Sequence, residues 1–185
     1  ITVPAAFKTL QSEATNKAGR LAGFQNIILL QEPIAAAVAY GAKPDAKDKH
    51  WMVFDYGGGT LDVAIISTLD NRLTVENSEG DNYFGGSDID RLLFRQVVLK
   101  KLREAGYHVD RLFDESTSSG KSFARKVQLD CENCKIELSN KESSILEIFD
   151  MDDDDGEPIE FECEITRQEL ESIISDTVDR SISIA

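Results

Sequence analysis

The chain has 185 residues, 41% of them hydrophobic and 29% charged, which allows a real core, burying roughly 70% of the unfolded surface, and argues against wholesale disorder. Twenty Lys and Arg stand against 34 Asp and Glu, a formal charge of −14, which argues against nucleic acid and against an acidic membrane surface as partners. No apolar run approaches the ~18 residues needed to span a bilayer, and three cysteines suit a reducing compartment better than a secreted disulfide scaffold. In chain order, Ile1–Val3 predicts the end of a strand, closed by Pro4. Leu10–Gly23 predicts a helix with Ala14, Ala18, Leu21 and Ala22 on one face, stopped by Gly23. Ile27–Leu30 reads as a short buried strand. Pro33 opens a second helix at its first position, Ala35–Ala37 permits close packing, and Gly41 ends it. Lys43–Lys49 is a charged connector and a candidate boundary. Trp51–Asp55 and Asp62–Ser67 predict strands joined through Tyr56–Leu61, and Leu73–Asn77 a third after an Asp70-Asn71 turn. Ser87 reads as a cap, with Asp90 three residues on, for a helix over Asp88–Ala105. Ser116–Gly120 reads as loop and Phe123–Leu138 as helix. Ser144–Phe149 and Ile159–Ile165 form a hairpin with an acidic tip; Ile159, Phe161, Cys163 and Ile165 face one way, Glu160, Glu162 and Glu164 the other. Thr166 with Glu169 caps a last helix. The chain opens on Ile1 and closes on a helix still in progress, so it reads as a piece of a longer protein.

The strongest local signal is Phe54-Asp55-Tyr56-Gly57-Gly58-Gly59-Thr60-Leu61-Asp62. Three consecutive glycines between apolar strands are costly in chain entropy, and two residues suffice for a hairpin turn. They make sense where backbone N–H groups approach an anion closely, with the Thr60 hydroxyl as a further donor. Asp55, at the end of an apolar strand, is placed to hold a cation directly or through water. The plain alternative is a flexible turn. Glu32 ends one strand and starts a helix; it suits the helix dipole and could equally orient a water or accept a proton. Gly80-Asp81-Asn82-Tyr83-Phe84-Gly85-Gly86 is a second glycine-rich segment at a helix start.

Four other patterns fail on inspection. Ser119-Gly120-Lys121-Ser122 imitates the tail of a Walker A loop, but Glu115 stands at its first glycine. Asp150–Gly156 imitates a calcium loop, but Asp155 and Phe161 occupy its glycine and bidentate-acid positions; the acidic run reads as a solvated hairpin tip. Cys131 and Cys134 have CxxC spacing without a second pair and read as packed thiols. His50 and His108 fall in connectors with no nucleophile elbow nearby.

Thr2-Val3-Pro4-Ala5, Ala18-Gly19, Leu21-Ala22-Gly23, Glu32-Pro33, Ala35–Ala37, Ala39-Tyr40-Gly41, Phe54-Asp55, the triple glycine with Thr60, Asp62-Val63, Gly80-Asp81, Gly85-Gly86, Asp88, Asp90, Cys131-Glu132, Lys135–Ser139 and Ile165-Thr166-Arg167 occur in that order. The pattern resembles the nucleotide-binding domain of the seventy-kilodalton heat-shock chaperones of the DnaK type. The resemblance implies an α/β chain with part of the actin-like ATPase (ribonuclease H-like) fold: base segments of both lobes plus an α+β upper subdomain of the second lobe. Residues 1–47 match part of the first lobe's base, 48–86 part of the second lobe's base with its phosphate loop, and 87–185 the second lobe's upper subdomain. By the same resemblance, Gly57, Gly58, Gly59 and Thr60 are the phosphate loop, and Asp55 holds magnesium through water. Glu32 is a carboxylate near the attacking water, and Asp62 an acid tied to a monovalent cation such as potassium. Gly85 and Gly86 lie near the nucleotide, and Glu132, Lys135 and Ser139 clamp the adenosine from one helical face. A first phosphate loop, a lysine for the γ-phosphate, a second adenosine loop and a peptide-binding domain match nothing in these 185 residues. Ser87, Tyr56 and Ser12 depart from the family's usual Glu, Leu and Arg.

The implied activity is ATP binding and hydrolysis coupled to the grip on unfolded polypeptides, in the cytoplasm, by the longer protein; the chain alone is expected to be inactive. The implied ligands are ATP or ADP with magnesium, and the implied partners a J-domain co-chaperone and a nucleotide-exchange factor docking on residues 87–185. Another actin-like enzyme such as a sugar kinase, and a nucleotide-sensing scaffold without chaperone coupling, stay open at this point.

Overall fold

The computed structural model describes residues 1–45, 49–112 and 118–185, with backbone only at 118, 119 and 121–123. The boundary expected at residues 47–48, Ser116 and the side chain of Phe123 lie outside the described residues. The chain forms two compact units, Ile1–Gly85 with Ser181–Ala185, and Gly86–Arg180.

In the first unit, β1 (Thr2–Val3) pairs in parallel with β2 (Leu30–Gln31). The strand expected over Ile27–Leu30 is therefore shorter and later, and it is not buried: Ile28 and Leu30 are exposed, because only β1 flanks it among the described residues. Helix α1 (Thr9–Leu21) ends at Gly23, whose φ of +96° suits glycine. Its packed residue is Gly19, where a Cβ would lie 2.8 Å from Ile27 Cδ1 and 2.9 Å from Ile1 Cδ1. The expected face of Ala14, Ala18, Leu21 and Ala22 is instead exposed; contact with the β1–β2 segment needs the smallest side chain, not the most apolar one. Helix α2 (Glu32–Ala39) carries Pro33 in its first turn. Its Ile34 and Ala37 pack with Ala42 on Trp51, Val53, Ile66, Leu73 and Val75 of an antiparallel sheet. That sheet runs in the order β3 (His50–Tyr56), β4 (Leu61–Leu69), β5 (Arg72–Asp81). His50 thus begins a strand, not a connector. Asp70 and Asn71 both have positive φ, 49° and 58°, giving the two-residue turn whose twist matches the strands. β5 runs four residues past its expected end, so Gly80 and Asp81 belong to a strand, opposite Asp62 and Leu61.

The second unit begins with α3 (Gly86–Leu93), a π-helical turn (Phe94–Val98) and α4 (Leu99–Glu104). The continuous helix expected over 88–105 therefore contains one wider turn. Its effect is on phase: Leu93, Val97, Val98 and Leu102 are all buried, a spacing that a uniform 3.6-residue repeat would not keep inward. Since the helix already includes Gly86, Ser87 is not its cap, and Asp90 is turned inward. Helix α5 (Ser118–Leu138) starts before the expected Phe123, so Ser118–Gly120 is helix, not loop, and the Walker-like Ser119–Ser122 lies within it. Hairpin β6 (Ser143–Asp152) and β7 (Pro158–Thr166) packs Leu146, Ile148, Ile159, Phe161 and Ile165 with Val127, Cys131, Cys134 and Leu138 of α5. The alternation along β7 holds, with Cys163 only half-buried. Helix α6 (Arg167–Ile184) is capped reciprocally: the Thr166 amide donates to Glu169 Oε2 at 2.8 Å, and the Glu169 amide to Thr166 Oγ1 at 3.2 Å.

The acidic tip is not merely solvated. Asp153 Oδ2 accepts from the His108 amide at 3.1 Å, and Asp154 caps the Arg111 and Leu112 amides at 2.7 and 2.9 Å. His108 Nδ1 lies 2.5 Å from Asp155 Oδ2. The aspartates satisfy backbone donors of an irregular loop that has no helix or sheet to satisfy them, and so they clasp the hairpin to residues 108–112.

Candidate functional site

The glycine-rich turn closes the β3–β4 hairpin. Tyr56 pairs with Leu61, Asp55 pairs with Asp62, and the Gly57 amide donates to the Thr60 carbonyl at 2.8 Å. Gly57, Gly58 and Gly59 have no positive φ. A Cβ on Gly58 or Gly59 would meet nothing within 4 Å. Both residues are exposed, and among the described residues their amides have no hydrogen-bond partner. Neither backbone conformation nor packing within the protein requires glycine at 58 and 59. Unpaired N–H groups in open space suit an anion that approaches the backbone closely.

The second glycine segment meets the first. A Cβ on Gly85 would lie 2.6 Å from Gly59 N and 2.7 Å from the carbonyl carbons of Gly58 and Gly59, so only glycine lets the two loops touch. Tyr56, just before the first loop, meets Phe84, just before Gly85, edge to face with ring centroids 5.5 Å apart. Around them Leu61, Val63 and Ile184 complete a small core. Gly80 makes room at the strand: a Cβ there would sit 2.5 Å from the Leu61 carbonyl oxygen and 3.3 Å from Asp62 Oδ1.

Three carboxylates share this region. Glu32, the first residue of α2, has its carboxyl raised above the usual range by burial and then by the negative charges of Asp62 and Asp55. Asp62 is raised by burial and by Asp55, with a Thr60 hydrogen bond pulling it back. Half-buried carboxylates this close to one another suit positive charge beside them. The donors are hard oxygens, which suit magnesium and potassium over softer ions. Among the described residues no three acidic, His or Cys groups converge as a direct chelate.

In the second unit, Glu132 and Lys135 lie on α5, and Ser139 in the turn just past its end. The Ser139 hydroxyl donates to the Lys135 carbonyl at 3.3 Å. The Lys135 ammonium lies 2.6 Å from Asp90 Oδ1 and donates to the Gly86 carbonyl at 3.2 Å. Asp90 is 2% exposed, and burial is the first cause that raises its carboxyl, against the pull of Lys135. Its place in the sequence carried a usable signal, an acid three and seven residues before the buried Leu93 and Val97.

An Hsp70 protein family model matches residues 1–185 in full. The chain belongs to the Hsp70 family. It is 34% identical over 181 residues to Chaperone protein DnaK of Mesomycoplasma hyopneumoniae strain 232, covering 98% of this chain and 29% of that protein. It is likewise 34% identical to Chaperone protein DnaK of Ureaplasma urealyticum serovar 10, covering 97% and 29%. This Hsp70 chain thus spans under a third of the length of the relatives it matches.

The remaining motifs are structural in this Hsp70 chain. Cys131, Cys134 and Cys163 are free thiols; burial pushes all three up, Cys163 to about 11, so they pack as neutral groups. His50 makes an exposed contact with Glu76 at 3.7 Å. No helix among the described residues is long and apolar enough to cross a membrane.

Proposed function

We propose that this chain forms part of the nucleotide-binding portion of an ATP-hydrolysing chaperone. The observation that carries this reading is the pair Gly58 and Gly59, glycines that the protein's own backbone and packing do not need. Their amides and the Thr60 hydroxyl would take the phosphates of ATP or ADP. Asp55 would hold a water-shelled magnesium ion, and Asp62 a monovalent cation such as potassium. Magnesium, when bound, neutralises phosphate charge. Glu32, made more basic by burial and by its acidic neighbours, is suited to orient the attacking water and accept its proton. Gly85 and Gly86 would lie by the nucleotide, while Glu132, Lys135 and Ser139 would take the adenosine moiety.

The family resemblance supports the wider reading. In it residues 1–47 and 48–86 are base segments of two actin-like lobes, and 87–185 is an upper subdomain. The longer protein, in the cytoplasm, would couple its nucleotide state to unfolded polypeptides, with a J-domain co-chaperone and an exchange factor that docks on the 87–185 subdomain. Catalysis is assigned to that longer protein and not to this segment alone. The test is Gly58→Ala in it. Alanine keeps the amide, but its methyl, in open space, would hold the phosphate off it; losing one charge-assisted amide bond in this way costs about 1.5–3 kcal/mol, so ADP should bind about 10- to 100-fold more weakly by calorimetry, with the melting temperature not lowered. Unaltered ADP affinity would remove the ligand from this loop.

A further inference from the structure

Burying a carboxylate is costly, and apolar replacements of buried ion pairs are often neutral or stabilising. Packing of α3 therefore does not call for Asp90, which is 2% exposed on the same face as Leu93 and Val97. What Asp90 holds is Lys135. The ammonium sits 2.6 Å from Asp90 Oδ1 and donates to the Gly86 carbonyl at 3.2 Å, with its side chain 21% exposed. Glu132 is one turn away on the same helix and is exposed, yet the ion pair goes to the buried partner. The ammonium therefore faces two oxygens of the protein, the Asp90 carboxylate as an ion pair and the Gly86 carbonyl as a hydrogen bond.

We infer that Asp90 is a positioning residue for nucleotide binding, its buried carboxylate fixing the Lys135 ammonium in the orientation that meets the adenosine moiety. The inference rests on the clamp role given above to Lys135. An unanchored lysine keeps its rotamer freedom until the ligand arrives, and immobilising it then weakens binding; an anchored one has lost that freedom in advance. Arg91 and Glu132 also face Asp90 electrostatically, with opposite sign, and neither supplies the short contact that Lys135 makes.

The experiment uses the longer protein with Asp90→Asn, Lys135→Gln and the double variant, measuring ADP affinity by calorimetry, the kcat and KM of ATP turnover, and thermal melting. Lys135→Gln should weaken ADP binding. Asp90→Asn should weaken it up to about tenfold, with the loss in KM and not in kcat, and the double variant should bind no worse than Lys135→Gln. If Lys135→Gln weakens binding and Asp90→Asn does not, positioning is wrong and the clamp stands. If Lys135→Gln has no effect, the clamp reading fails and the inference with it. If the two losses multiply, Asp90 acts through general stability, and the inference is overturned. Should Asp90→Asn melt below the assay temperature, Asp90→Glu, which keeps the charge but moves the carboxylate by one methylene, is held to the same non-additivity with Lys135→Gln.

Discussion

Gly85→Ala puts a methyl carbon 2.6 Å from Gly59 N and 2.7 Å from two carbonyl carbons of the cradle loop. Ordinary contact begins near 3.4 Å, so something must retreat by about 0.8 Å. The three nearest atoms are all backbone, so relief cannot come from a side chain rotating away. Overpacking of this kind costs about 1–3 kcal/mol, seen as a drop in melting temperature. The retreat also carries the Gly58 and Gly59 amides. A hydrogen bond of ~2.9 Å stretched by that distance is essentially lost. Two amide bonds to a charged phosphate, each worth about 1.5 kcal/mol or more, correspond to about 100-fold or more in ADP affinity. The assay is calorimetric titration of ADP into the longer protein, with a thermal melt of the same sample. Gly58→Ala is the control, because its methyl meets nothing within 4 Å: it should lower affinity without lowering stability, whereas Gly85→Ala should lower both. A Gly85→Ala variant with normal affinity and normal melting would show that the two glycine loops do not touch in solution.

Asp55→Asn keeps shape and removes charge, so ATP turnover in the longer protein should fall about 100-fold or more, while ADP affinity, resting on the Gly58 and Gly59 amides, falls much less; near-normal steady-state turnover would reduce Asp55 to a structural residue. The acidic clasp should be tightest in a pH window. His108 is raised above 6.5 by its hydrogen bond to Asp155 and by the surrounding aspartates, so its contribution is full below that ordinary value and fades as pH rises through the raised one. Asp153 is lowered below 3.8 by the amides of Glu157, His108 and Asp155, so its contribution is full above 3.8 and fades as pH falls through the lowered value. Hydrogen exchange of the Arg111 and Leu112 amides, corrected for intrinsic rates, should show both limbs; protection that stays flat above neutral pH would exclude His108 from the clasp.

The strands and helices with local signals were legible: the Asp70-Asn71 turn, the alternation of β7 and the Thr166–Glu169 cap each rest on neighbours in sequence. Several misreadings needed information from distant residues. Ile27–Leu30 is apolar enough for a buried strand, but burial depends on what covers it. Gly19 is packed because Ile1 and Ile27 meet it. Asp90 follows Ser87 by three, the spacing of a capping box, yet its partner is Lys135, 45 residues on. The acidic run at Asp152–Asp155 looks solvated until the loop at His108–Leu112, whose amides it satisfies, is brought beside it. At the candidate site the residue types were legible in the sequence, and the reason for them was not. Chain entropy makes three glycines look equally costly, whereas of the three only a Cβ on Gly57 would come near protein atoms, 3.3 Å from the Thr60 carbonyl oxygen, and one on Gly58 or Gly59 would face open space.

That difference explains how the loop is held. A loop that offers unbonded amides to a ligand cannot use those same amides to hold itself in place, so its stiffness must come from its flanks. Here the flanks supply it three times. The Gly57 amide closes the turn on the Thr60 carbonyl. The Gly85 backbone packs directly against Gly58 and Gly59. Beneath both, Tyr56 and Phe84 meet edge to face, an arrangement worth about 0.5–1.5 kcal/mol beyond the area it buries. Tyr56 stands where the family usually has leucine, and a leucine could fill the space without that directional contact. The departure therefore sits at the base of the glycine loop and leaves its unbonded amides as they are, so the support of the loop can vary without changing what the loop presents.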